Sequence, residues 1–228
     1  MPHSSKKKKV VKPRPTIRTS YIFGVVIVAV IAGAAWYVYS SSQSGSSSGG
    51  TTTNTSAATN ATANPIYAKV ETSLGSFEVE LFPSSAPKTV ANFVNLAKSG
   101  FYSNLVWHRI VSGFVIQTGD PNTKDGGGNR SLWGTGGSPQ TVPLEVNPQL
   151  HNYVGYLGMA RSTDPNSGTS QFFVNLANNT FLDGKYTVFG KVINGMDVVF
   201  EIGNLQVNAQ NQPLISVFVT KITILSGP

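Results

Sequence analysis

Apolar and polar residues alternate along Ser76–Leu81, with Phe77, Val79 and Leu81 on one side of the chain and Glu78 and Glu80 on the other. A period of two marks a half-buried strand. With a turn at Ser73-Leu74-Gly75, it predicts a hairpin of strands Ile66–Thr72 and Ser76–Leu81. The period then lengthens. Val90, Phe93, Val94 and Ala97 share one face of a helix predicted from Pro87 to Lys98, with Ser85 as candidate cap and Gly100 as stop. Six further β runs follow at Leu105–Ile110, Phe114–Thr118, Tyr156–Ala160, Phe172–Leu176, Thr187–Val192 and Ser216–Leu225, with a short helix at Met196–Ile202. Many short strands, Gly- and Pro-rich connections and two helices predict a mainly β domain over 65–228, a closed antiparallel barrel or a sandwich.

The preceding residues have no such pattern. Residues 21–39, YIFGVVIVAVIAGAAWYVY, form a run of 19 without a charge, which as a helix spans roughly 28 Å, close to the hydrocarbon thickness of a bilayer. The predicted element is a transmembrane anchor. It has no amphipathic stripe, as a buried core helix would, and it runs past the core length of an ordinary secretory signal. A cleaved signal processed near Ala32-Gly33-Ala34 is the competing reading. Residues 40–64 are Ser, Thr, Gly, Asn and Ala with little else. They cannot bury enough surface to fold, and read as a disordered tether with a root-mean-square reach of roughly 28 Å.

Charge changes the picture in one respect. The formal net charge of +7 would point to nucleic acid if spread over a folded face, but Lys6, Lys7, Lys8, Lys9, Lys12, Arg14 and Arg18 account for all of it. The remainder of the chain balances to zero, so no nucleic-acid partner is expected. A cationic tail at 1–20, ahead of a single span with Trp36, Tyr37 and Tyr39 at its far end, predicts a cytoplasmic N-terminus. The expected location is the cell membrane, single-pass, with the folded domain outside the cytoplasm.

Candidate chemistry is sparse. There is no cysteine, which excludes disulfides, thiolate metal sites and a thiol nucleophile. His3, His108 and His151 lack metal-ligand spacing, so neither metal nor cofactor is expected. Gly126-Gly127-Gly128 lacks the lysine of a phosphate-binding loop, and Asp120-Pro121-Asn122 departs from a calcium loop. Gly45-Ser46-Ser47-Ser48-Gly49 matches a nucleophile elbow but sits in the tether, without the required strand–turn–helix setting. Asn54, Asn60, Asn129 and Asn178 fit the glycosylation acceptor pattern, which such an Asn- and Thr-rich chain meets by chance.

Three blocks nevertheless resemble a known family: LGSFEVELFPSSAPKTVANFVNLAKSGFY at 74–102, WHRIVSGFVIQTGD at 107–120, and GMARSTDPNSGTSQFFVNLANNTFLDGKYTVFGKV at 158–192. Together they resemble a cyclophilin, a peptidyl-prolyl cis-trans isomerase, over essentially all of 65–228 and none of 1–64. The resemblance implies an eight-stranded antiparallel barrel capped by two helices, acting as a monomer on proline-containing polypeptides. It places the catalytic arginine at Arg109 and a hydrogen-bonding glutamine at Gln117. The apolar proline pocket falls on Phe114, Val115, Phe173 and Leu182, and a second glutamine on Gln171. The strand that pairs with bound peptide falls on Ala160, Arg161 and Ser162, and Gly126 lies on a loop beside the neighbouring subsite. Trp107, Arg161, Phe181 and Tyr186 stand where many members have Phe, Asn, Trp and His, so tight cyclosporin binding is not expected. Phe181 and Tyr186 form the pocket rim. His108, Tyr102 and Trp133 are assigned to packing. Gln171 is open between orienting Arg109 and satisfying backbone groups. A binding-only module at the membrane and a secreted hydrolase remain the alternative functions.

Overall fold

The computed structural model describes residues 64–227; the expected cytoplasmic tail and membrane anchor, and the expected tether up to residue 63, lie outside the described residues. Among the described residues no helix is long and apolar enough to cross a membrane.

The hairpin forms as its alternation requires. Strands β1 (Ile66–Thr72) and β2 (Gly75–Leu81) pair antiparallel and bury Ala68, Val70, Phe77, Val79 and Leu81. Seven more strands follow: β3 (Leu105–Val106), β4 (Arg109–Val111), β5 (Val115–Thr118), β6 (Tyr156–Met159), β7 (Phe172–Asn175), β8 (Val188–Asn194) and β9 (Phe218–Leu225). They make one antiparallel sheet in the order β3-β9-β1-β2-β8-β6-β7-β5-β4.

The two ends of that order are nearly adjacent in the chain, since only Trp107 and His108 separate β3 from β4. Nine strands laid flat would hold their outer members about 38 Å apart at about 4.8 Å per interval. The three peptide steps from Val106 to Arg109 cover at most about 11 Å. The sheet must therefore curl until its edges face each other. This differs from the expected eight-stranded closed barrel: the expected strand Leu105–Ile110 is two strands, and the hydrogen-bond ladder is open between them. The break falls at Trp107 and His108, both buried, which lie between the two ladders and in neither of them. Trp107 meets Phe172 and Phe77 in the core at centroid distances of 5.9 and 6.2 Å, while its backbone N–H donates to the Val217 carbonyl.

Helix α1 (Pro87–Lys98) buries Val90, Phe93 and Ala97, and Phe93 lies 5.3–5.5 Å from the rings of Tyr102, Phe172 and Phe189. Ser85 does not cap it. The N-cap is Ala86, and the Glu145 carboxylate accepts from the N–H groups of Lys88 and Thr89 instead. Gly100 does end the helix, at φ +73°, with the N–H of Phe101 bonded to Leu96 and its own to Ala97. Helix α2 (Met196–Gly203) packs Val199 and Ile202 into the same core.

Register divides the sheet into two kinds of row. Ile110, Ile116, Val174 and Leu157 stand opposite one another and all belong to the core. One residue along, Arg109, Gln117, Phe173 and Gly158 form the matching row on the other face, which carries the candidate chemistry.

Candidate functional site

Alternation along β4, β5 and β7 sets this second row outside the core. Gly158 is there because nothing larger fits: a Cβ would run into the Phe173 ring. The ring lies across it and meets Tyr186 edge-on at 5.6 Å and 83°. Val115 and Phe173 are nearly closed off, at 2% and 4% exposure, so they support the surface more than they present it. Phe114 stands half-buried in the turn just before β5, stacked on Phe181 at 5.7 Å and 18°. Phe181 is 61% exposed, and half-buried Leu182 follows it in a single 3-10 turn, Thr180–Leu182. Buried Asn179 ties that turn to the strand: its amide donates to the Phe114 carbonyl at 3.0 Å and to Asn175 at 2.8 Å.

Arg109 reaches the same surface from β4. Its guanidinium lies 5.8 Å from the Phe114 ring centroid and makes a long 3.5 Å hydrogen bond to Gln117 Oε1. Burial pulls its pKa below the ordinary arginine value, with Tyr186 acting in the opposite sense. Gln117 Nε2 donates to Gln171 Oε1 at 2.8 Å, and Gln171 Nε2 donates to the carbonyls of Gly134 and Gly136 at 3.1 and 2.6 Å. Gln171 satisfies backbone carbonyls and also holds Gln117, whose Oε1 makes the long contact with Arg109.

Beyond Gln171 lies a depression of about 320 Å³ between Gly134–Ser138 on one side and Ala160–Ser162 on the other. Ala160, Arg161 and Ser162 follow β6 without belonging to it. The Ala160 N–H is taken by the Gln171 carbonyl, and that of Ser162 by Ser167 Oγ. Arg161 lies over Tyr186 at 4.9 Å, with Nε on the Lys185 carbonyl and Nη1 on those of Ser162 and Thr163.

Gly126 is not on this wall. A Cβ there would meet Phe218 at 3.1 Å, on the β9 side, and the glycines lining the depression are Gly134, Gly136 and Gly137. The signal for them in the sequence is the run Gly134-Thr135-Gly136-Gly137. A side chain at Gly136 would strike Asp120 and one at Gly137 would strike Thr169, so close backbone approach explains both. Asp120, fully buried, pins the loop by accepting from the N–H groups of Asn122 and Gly134. Asn179 and Gly158 were likewise missed, and nothing local in the sequence marks either.

His108, Tyr102 and Trp133 are buried, as assigned. Tyr102 donates to the Ser170 carbonyl, and burial pushes its hydroxyl pKa up. Trp133 donates to the Gly127 carbonyl beneath Arg130 at 4.6 Å. Neither ring nitrogen of His108 has a hydrogen-bond partner of good geometry, and burial pulls its pKa down to about 4 against the opposing pull of Asp120.

The comparisons with known proteins agree with one another. The family pattern described as "Cyclophilin type peptidyl-prolyl cis-trans isomerase/CLD" matches residues 67–224. Peptidyl-prolyl cis-trans isomerase-like 1 of Aspergillus niger is 43% identical over 156 residues, covering 68% of this chain and 92% of that protein. A peptidyl-prolyl cis-trans isomerase of Schizosaccharomyces pombe is 38% identical over 158 residues, covering 69% of this chain and 97% of that protein. The crystal structure of a cyclophilin-type isomerase from Cryptosporidium parvum superimposes with a TM-score of 0.65 at 31% identity, covering 72% of this chain and all of the other. With a curled antiparallel sheet, two helices and relatives matched over nearly their whole length, the chain belongs to the cyclophilin-type peptidyl-prolyl cis-trans isomerase family.

Proposed function

We propose that Arg109 drives X–Pro rotation on this surface, with Phe114 and Leu182 holding the proline ring over Phe173, and Gln117 holding the substrate and the arginine. Rotation about a peptide bond faces a barrier of roughly 18–20 kcal/mol, because resonance gives C–N partial double-bond character. No bond has to break, so the reaction calls on no metal or cofactor. In the twisted state the proline nitrogen becomes pyramidal and recovers a lone pair. A guanidinium N–H can donate to that lone pair but has nothing to bond to on the planar nitrogen, so the contact favours the transition state over the ground state. Going from about a minute to about a millisecond takes roughly 10⁵-fold, or about 7 kcal/mol. One charge-assisted hydrogen bond contributes about 1.5–3 kcal/mol, and the remainder comes from orientation in a dry pocket.

The observation that supports this reading is the relay from Gly134 and Gly136 through Gln171 to Gln117, whose oxygen faces the Arg109 guanidinium beside Phe114. Arg109→Ala should lower kcat/KM for X–Pro exchange by at least about 100-fold, equivalent to roughly 2.7 kcal/mol, while the circular dichroism spectrum stays that of the parent. Near-parental exchange in a folded variant would overturn the assignment.

The same proposal sets the enzyme, as a monomer, outside the cytoplasmic membrane, anchored by residues 21–39. There it meets newly exported polypeptides, whose X–Pro bonds are roughly 10–30% cis while unfolded and must equilibrate before packing. The charge asymmetry across 21–39 supports that topology.

A further inference from the structure

Resting on the isomerase reading, we infer that the enzyme selects substrates carrying an anionic side chain, a carboxylate or a phosphoester, two residues from the isomerised proline. The depression beyond Gln171 is lined by the hydroxyl-bearing residues Thr135, Ser138, Ser162, Ser167 and Thr169, and by one charged residue, the cation Arg161. No carboxylate lines it. Asp120 sits fully buried behind the Gly134–Gly137 wall with its oxygens on backbone N–H groups, and Asp164, in the turn after Arg161, accepts from the Asn166 N–H.

The ion pairs among the described residues are His151–Asp183 and Lys191–Glu80, so Arg161 has no acidic partner. Its Nε and Nη1 hold backbone carbonyls and its plane rests over Tyr186, which fixes the fork and leaves Nη2 without an acceptor among the described residues. The N–H groups of Gly136 and Gly137, in the facing wall, likewise have no acceptor among them. A fixed guanidinium with one free nitrogen and two unbonded backbone donors belong to the same lining, with no competing carboxylate on it, and that donor set suits an oxyanion.

Spacing along the chain points to the substrate residue that arrives there. Phe173 and Gln171 are two residues apart along the same stretch of chain, one underlying the proposed ring pocket and the other edging the depression. Two residues of extended chain advance about 6.7 Å and return a side chain to the same face. A peptide lying along the groove with its proline over Phe173 therefore sets the side chain two residues away at the depression.

The test compares matched peptides on the full-length protein, with Glu, phosphoserine or neutral Gln two residues before the proline and, in a second set, two residues after it. At low ionic strength the expected kcat/KM for an anionic peptide is about 5–10-fold above that of its Gln counterpart in one of the two sets, falling toward parity at high salt. Arg161→Gln should bring the anionic-to-neutral ratio close to one, and Arg161→Lys should keep part of it. A preference confined to phosphoserine assigns the site to phosphoesters, and one shared with Glu assigns it to carboxylates as well. Equal rates in both sets, or a ratio unchanged in Arg161→Gln, overturn the inference. Affinities of the same peptides, read from amide shifts of Gly136 and Gly137 in nuclear magnetic resonance titrations, decide the anion preference independently of turnover. Absent turnover with retained anion preference would reject the isomerase reading alone.

Discussion

His108 shows what a single side chain loses by being placed at the junction of two strands. It is 2% exposed, and neither ring nitrogen has a hydrogen-bond partner of good geometry, so ionising it means burying a charge. Its pKa falls from the ordinary 6.5 to about 4 through burial, despite Asp120 nearby. Between those two values the unfolded chain binds a proton that the native chain refuses, so stability rises with pH across that window. The contribution is complete above about pH 6.5 and is lost as the pH falls toward about 4, with about 2 kcal/mol gone at pH 5. Urea unfolding at pH 7 and pH 5 should show this loss in the parent and a smaller one in His108→Asn. An equal loss in both proteins would assign the pH dependence elsewhere. The acid side has its own contributor in Asp183. Burial raises its carboxyl, but the Asn152 N–H, the Asn152 amide and His151 together outweigh that and leave it below its ordinary value.

At the scale of elements, α1 shows how a long-range contact replaces a local signal. A serine two residues before a proline is a reasonable cap in the sequence, yet Ser85 Oγ accepts from the Asn147 amide. The orphan N–H groups of the first turn go to Glu145, bonded at 3.0 and 2.8 Å from a loop 57 and 56 residues along the chain. A carboxylate there also answers the positive end of the helix dipole. Glu145→Ala should cost about 1 kcal/mol, measured as a lower denaturation midpoint, and Ser85→Ala should cost less. The reverse order would restore Ser85 as the cap. The C-terminal end needed no such help, because the left-handed Gly100 closes it with residues the helix already has.

For the whole molecule, Phe93, Tyr102, Trp107, Phe172 and Phe189 share one core assembled from α1, its following loop, the β3–β4 link, β7 and β8. All of these lie within 65–228, so that segment should fold and isomerise X–Pro peptides without residues 1–64, and without added metal. Loss of exchange on removing 1–64 would give the N-terminal segment a role in the fold. The proposed topology adds that the full-length protein sediments with membranes and that protease added to intact cells, or to cells stripped of an outer wall, removes the domain. Protection until the membrane is dissolved would reverse the orientation, and release with a new N-terminus near Ala35 would make residues 21–39 a cleaved signal.

Local periodicity was enough for the elements whose two faces meet different surroundings: the β1–β2 hairpin, the apolar face of α1, and α2 within one residue of its observed end. The row Arg109, Gln117 and Phe173 was legible through motif resemblance, because strand alternation keeps such residues off the core face once the strands are right. Sequence could not show where the chain leaves strand geometry at Trp107 and His108, since burial on all sides removes the alternation that would reveal it. Nor could it show that Gly134–Gly137 lines the depression beyond Gln171, because that depends on Asp120 and Thr169 arriving from other segments. The sequence by itself determined the periods, the turns and the charge segregation, which act between neighbours in the chain. Only the tertiary structure decided the curl of the sheet, the cap from Glu145, the glutamine relay and the seating of Arg161 over Tyr186, because each is a contact between residues far apart in the chain.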